Sequence, residues 1–191
     1  MLSANIAIPQ PGICLPESQQ QFPGKEAGDW FVLHTRSRQE KAVAHTLSAM
    51  GIAHFVPLVR QPRYYGNRKF IVELPLFPSY VFLRGTKVNA FEINQTKRIA
   101  QIITVSQQDI LDNELRNLFL AVESGAELDP YPYLTAGNRV EVRSGPFRGL
   151  QGMVDGRVRL NRIILQVTML GRAVSLEMDA ALLEPIKDDW V

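Results

Sequence analysis

From residue 29 onward, apolar and polar positions alternate between a two-residue and a roughly four-residue period. Asp29 to Thr35, DWFVLHT, has the aromatic and β-branched content of a strand. Behind it Val43, Leu47 and Met50 recur at helical spacing, with Ser37 and Glu40 at capping-box spacing in front and Gly51 placed to end the helix in the left-handed conformation. Ile52 to Pro57 predicts a second strand. Leu58 to Arg63 and Lys69 to Leu74 predict two more around YYGNR, whose Gly66-Asn67 pair favours a hairpin turn and gives a projecting arm with a basic tip.

LPLFPSYVFLRG, residues 74–85, predicts a strand that is apolar on both faces. Alternation puts Tyr80 and Phe82 on one face and Ser79, Val81 and Leu83 on the other. Such a strand is buried on both sides, or its aromatic side waits for a partner. Asn89 to Gln95 predicts a short helix and Ile99 to Val105 a strand. Ser106 to Asp109 then caps a helix carrying Leu111, Leu115, Leu118 and Val122 on one stripe. Strands mixed with helices packed on one side point to an α+β sandwich of the ferredoxin-like kind. Residues 123–136, rich in Pro, Gly and acids, read as a linker, and residues 137–187 turn to short Val/Ile-rich strands between glycine turns, a small all-β barrel of about five strands.

Residues 1–28 hold four prolines, a Gln19-Gln20-Gln21 run and no sustained period, and are expected to be a flexible extension. The net charge of +2 is unevenly spread: residues 29–122 carry twelve Lys/Arg against seven Asp/Glu, whereas residues 123–191 carry eight against ten. This bias suits contact with nucleic acid. The single cysteine, Cys14, excludes an internal disulfide and a cysteine-based zinc site. His34, His45 and His54 have no metal-like spacing, and no nucleophile elbow or phosphate-binding glycine loop occurs, so neither an enzyme nor a cofactor is expected. No apolar run approaches the roughly 20 residues of a membrane span, and the expected location is cytoplasmic.

Two stretches resemble one family. GNRVEVRSGPFRGLQGMV, residues 137–154, resembles a KOW motif, and LGRAVSL, residues 170–176, resembles the strand closing that SH3-like barrel. DWFVLHTRSRQEK and PLFPSYVFLR resemble the N-terminal (NGN) domain of the NusG family. Leu76 before Phe77, and Ser79 where the housekeeping pattern usually has Gly, resemble the specialised RfaH-like and capsule-operon members.

The resemblance implies a transcription elongation factor bridging the RNA polymerase cleft, operon-specific and antiterminating, acting as a monomer. Phe77, Tyr80 and Phe82, with His34 and Val105 as neighbours, would dock on the clamp helices. Arg36, Arg38, Gln39, Lys97 and Arg98 would approach the non-template DNA strand. Phe147, Met169 and Leu170 would recruit a small-subunit ribosomal protein or Rho. Core aromatics and solvated charge are the plainer readings of the same residues. The alternative function is an RNA-binding or ribosome-associated KOW protein using Arg143, Arg148 and Arg157.

Overall fold

A computed structural model of the chain describes residues 22–66, 68–131, 137–155 and 162–186. Cys14, the glutamine run, Asn67 and Arg157 lie outside the described residues.

The N-terminal part is built on a four-stranded antiparallel sheet, order β2-β5-β1-β6, from β1 (Asp29–Thr35), β2 (His54–Phe55), β5 (Tyr80–Gly85) and β6 (Ile99–Thr104). Its strands are apolar on both faces because both are covered. Phe31, Leu33, Val81 and Leu83 pack on Val43, Ala44 and Leu47 of α1 (Glu40–Ala49) and on Ala90 and Ile93 of α2 (Lys87–Asn94). Trp30, Val32 and Phe82 point the other way, onto Leu111, Leu115, Leu118 and Phe119 of α3 (Gln108–Glu123). The helices thus lie on both sides of the sheet, not on one as the pattern suggested. Each fully buried side chain of this size contributes about 1.5–3 kcal/mol.

The predicted caps are replaced. Neither α1 nor α3 has a side-chain cap, while Thr86 and Asn89 form a reciprocal capping box on α2. Gln108 does different work: its Oε1 accepts from Trp30 N–H at 2.7 Å and its Nε2 donates to the Trp30 carbonyl at 3.0 Å, continuing the pairing of β1 where β6 has ended.

Residues 22–28 are not the loose extension that their lack of period predicts. Phe22 lies 5.5–6.1 Å from the rings of Phe119, Trp30 and Phe55, and the Arg116 guanidinium sits 4.6 Å from its centroid. Behind it, buried Arg84 donates to the Pro23 carbonyl (2.9 Å) and the Gly28 carbonyl (3.1 Å) and pairs with buried Asp112. Asp112 also accepts from Trp30 Nε1 at 2.9 Å. Burial alone would raise the Asp112 carboxyl, but the bonds from Trp30, Arg84 and Arg116 and the charge of Arg84 outweigh it and hold the group below its ordinary value.

β3 (Leu58–Tyr65) and β4 (Arg68–Pro75) form a separate two-stranded hairpin. The C-terminal part is a six-stranded antiparallel sheet, order β12-β8-β9-β10-β11-β7, made of β7 (Asp129–Tyr131), β8 (Asn138–Val142), β9 (Gln151–Val154), β10 (Arg162–Val167), β11 (Arg172–Glu177) and β12 (Leu183–Pro185). β7 comes from the stretch predicted as linker and pairs with β11. Gly152 is required where strands close up: a Cβ there would stand 2.6 Å from the Ile163 side chain and 2.7 Å from the Ile164 carbonyl.

The two parts share one hydrophobic core, because residues of α3 and Val140, Val142, Leu150, Ile163 and Leu165 belong to the same buried cluster. Polar contacts fix the seam. Asn117 accepts from Gln151 N–H at 2.9 Å, Ser124 donates to the Pro146 carbonyl at 3.2 Å, and Glu114 accepts from the N–H (3.1 Å) and the hydroxyl of Thr168. Burial pushes the Glu114 carboxyl above its ordinary value against the opposing effect of the Thr168 bonds. No helix among the described residues is long and apolar enough to cross a membrane.

Candidate functional site

Three loops meet where β1 ends. The register of β1 against β6 shifts between His34 and Thr35; Thr35 N–H then donates to the Ser79 carbonyl and Arg36 N–H to the Arg98 carbonyl, both at 2.8 Å. Ser79 N–H donates at 2.6 Å to Oε1 of Glu40, the buried first residue of α1. The same corner holds all the described non-glycine residues with positive φ: Arg38 (60°), Ser79 (69°) and Lys97 (59°). Left-handed backbone costs a non-glycine residue roughly 1–2 kcal/mol, and strain of this kind collects where surrounding contacts over-determine the chain.

The consequence is a cluster of charge. Arg36, Arg38, Lys97 and Arg98, distant in sequence, come to one end of the sheet with their side chains exposed, and none pairs with a carboxylate among the described residues. Gln39 is half-buried between Arg38 and Glu40. The five residues predicted to approach nucleic acid therefore occupy two loops joined by a backbone hydrogen bond.

Tyr80 and His34 stand next to this corner. They are cross-strand partners, half-buried, with rings stacked at 5.2 Å between centroids. The other members of the predicted docking patch are interior: Phe82 is fully buried, Val105 is 7% exposed and Phe77 is 4% exposed. Phe77 was expected to look outward, with Pro78 bending the chain. Instead the left-handed Ser79 makes the bend, Tyr80 N–H returns to the Phe77 carbonyl at 3.2 Å, and the Phe77 ring turns inward, edge-on to Phe82 at 6.5 Å.

In the C-terminal part, Phe147 and Leu170 are half-buried against the shared core and Met169 is 36% exposed. Their loops are anchored at different points of α3: Pro146 meets Ser124, and Thr168 meets Glu114. Ten residues of helix separate those anchors, about 15 Å.

Sequence reasoning missed the residues that hold these side chains. Glu40 stood out only as half of a capping box, and Arg84, Asp112 and Glu114 were given no role. A carboxylate or guanidinium inside an otherwise apolar stretch, as with Arg84 in YVFLRG, is the signal that was present.

The family model described as transcription termination factor nusG matches residues 28–119, from the start of β1 through most of α3. Over these residues the chain belongs to the NusG family. NusG proteins are non-enzymatic transcription elongation and termination factors, and RNA polymerase is their general partner. Among solved structures, that of NusG from Thermotoga maritima, described for its domain interaction, is 21% identical, with a TM-score of 0.43, and the match covers 86% of this chain and 100% of that one. No curated protein matches. The matched region contains all three strained loops, the Tyr80–His34 pair and the hairpin.

Proposed function

We propose that this NusG protein is an operon-specific antitermination factor that closes the polymerase cleft, holds the displaced non-template strand at the Arg36/Arg38 corner and couples transcription to a second partner. The observation that carries the reading is the convergence of four cations beside a stacked, partly exposed Tyr80–His34 pair. A docking surface needs apolar area next to solvent, and Tyr80 and His34 supply it, while Phe77, Phe82 and Val105 support it from within. Cations on strained, tightly held loops lose little conformational freedom when they meet phosphates.

The C-terminal sheet is taken as the KOW barrel. Its partner, a small-subunit ribosomal protein or Rho, would meet Met169, the exposed member of the predicted set, with Phe147 and Leu170 as flanking apolar surface. The test is a polymerase pull-down with the full chain, followed by transcription past a terminator in the presence and absence of Rho. The reading expects polymerase retention and longer transcripts, both lost in the H34A/Y80A variant. Polymerase binding equal in that variant and the wild type would overturn it.

A further inference from the structure

Helix α3 is held along three stripes. Leu111, Leu115, Leu118 and Val122 are the buried stripe that packs on the N-terminal sheet. Ile110, Glu114 and Asn117, with Ser124 at the end of the helix, face the C-terminal sheet. Asp109, Asp112, Arg116 and Phe119 recur three to four residues apart and make the third stripe. This one belongs to residues 22–28. Lys25 pairs with Asp109 at 3.1 Å, Arg116 lies over the Phe22 ring with Phe119 beside it, and Asp112 holds Arg84, the donor to the Pro23 and Gly28 carbonyls. Gly28 closes the segment against β5 with φ of 117°, where a Cβ would stand 2.5 Å from the Gly85 carbonyl. Phe22 and Pro23 precede the residues matched to the family, which begin at 28.

The second and third stripes are held by different chemistry. Toward the C-terminal sheet α3 offers hydrogen bonds from Glu114, Asn117 and Ser124, and the packing is incomplete. A cleft of about 290 Å³ runs between Ile110, Asn113, Glu114 and Asn117 on one side and Gln151 and Met153 on the other, and Ile110 stays 46% exposed. Such polar groups exchange their partners for water at small net cost, as interfaces between parts of one chain commonly do. Residues 22–28 instead hold α3 through a ring set among rings and through a guanidinium inside the core. Releasing them leaves Arg84 two acceptors short where water does not reach.

We propose that residues 22–28 are a clasp that keeps α3 seated on the N-terminal sheet while the C-terminal sheet swings away from it about residues 125–128. The inference rests on the reading that the C-terminal sheet meets a second partner. β7 is paired with β11, so the chain from Asp129 onward travels with the C-terminal sheet, and Gly125, left-handed with φ of 75°, follows directly on the end of α3. A helix of 16 residues is marginal in water and depends on its contacts. The clasp supplies contacts that stay when the seam opens. α3 then keeps Gln108 on the Trp30 backbone and keeps Phe82 covered, so β5 presents Tyr80 unchanged in both states.

Amide hydrogen exchange on the full chain, read residue by residue by NMR, tests the proposal. The amides of Gln151 and Thr168 report the seam, because their acceptors are side chains of Asn117 and Glu114 on α3. In the wild type these two are expected to exchange at least about tenfold faster than amides in the middle of α3. F22A is expected to speed the α3 amides by at least about tenfold, the factor that an aromatic and a cation contact together supply, and to leave the β10–β11 pairing at its wild-type rate. F22L keeps an apolar group against Trp30, Phe55 and Phe119, gives a smaller change in the same direction and guards against misfolding of F22A. Unchanged α3 rates in both variants, seam and α3 amides exchanging in step in the wild type, or an equal loss across β10–β11 in both variants overturns the proposal. Polymerase pull-down is run in parallel: its failure with the expected exchange pattern indicts the antitermination reading alone, and retained polymerase with unchanged α3 rates indicts the clasp alone.

Discussion

Oε1 of Glu40 accepts a hydrogen bond from the N–H of Ser79 at 2.6 Å, joining the first residue of α1 to the turn that leads into β5 across 39 positions of sequence. A buried carboxylate is used to hold a strained backbone, and the loop bearing Arg36 and Arg38 hangs on the same contact.

E40A is therefore expected to destabilise the protein by about 1–3 kcal/mol, the cost of leaving a buried donor unmade. E40Q, which keeps an acceptor oxygen, is expected to recover at least half. Urea denaturation measures both; equal losses would show that the hydrogen bond is not the reason for Glu40's burial.

Ser79 occupies a backbone region that favours glycine, with φ of 69°. S79G removes strain of roughly 1–2 kcal/mol and adds back unfolded-chain entropy of about 0.4–1 kcal/mol. The expected result is a net gain of about 0.5–1 kcal/mol, visible as a small rise in melting temperature.

Phe77 and Tyr80 are predicted to separate stability from binding. F77A empties a buried site and should cost about 3–5 kcal/mol. Y80A removes a half-buried ring at the surface, so melting should shift little while polymerase binding falls. Denaturation and pull-down on the same preparations give the comparison.

Asp112 makes the fold acid-sensitive. Its folded-state pKa lies below the ordinary value of 3.8, so its contribution is present above that value and is lost as pH falls through the lowered one. D112A strands Arg84 in the core and is expected to cost about 3–5 kcal/mol, as broken buried pairs do. Unfolding curves from neutral to strongly acidic pH test the first statement, and those at neutral pH the second.

Glu114 works with the opposite sign. Its folded-state pKa is raised above 4.5, so packing of the C-terminal sheet on α3 is strongest below that value and loosens as pH rises through the raised one. E114Q, uncharged at every pH yet still an acceptor for Thr168, should remove this dependence. E114A should weaken the seam by about 1 kcal/mol. Small-angle scattering across pH reports the separation of the two parts.

Much of the fold was legible because local geometry writes itself into spacing. The stripe Leu111, Leu115, Leu118, Val122 marks α3, and the left-handed Gly51 follows α1 as expected. The arm around residue 66 was visible from its turn residues, and the basic residues of the corner were visible as residues. Phe22 was invisible because a lone ring in a proline-rich segment has no period; only Trp30, Phe55 and Phe119 give it a place.

By itself the sequence determined that β5 would be apolar on both faces, that strands and helices would alternate up to α3, and that short strands would follow. Periodicity reports the path of the backbone through a few residues, and that much is local. Tertiary structure alone decided what covers each face: α1 and α2 on Val81 and Leu83, α3 on Phe82, and the C-terminal sheet on α3 in turn. It also decided that Phe77 turns inward, through a left-handed Ser79 held by a carboxylate 39 residues away. A side chain's burial depends on which distant group arrives to cover it, and no spacing along the chain encodes that arrival.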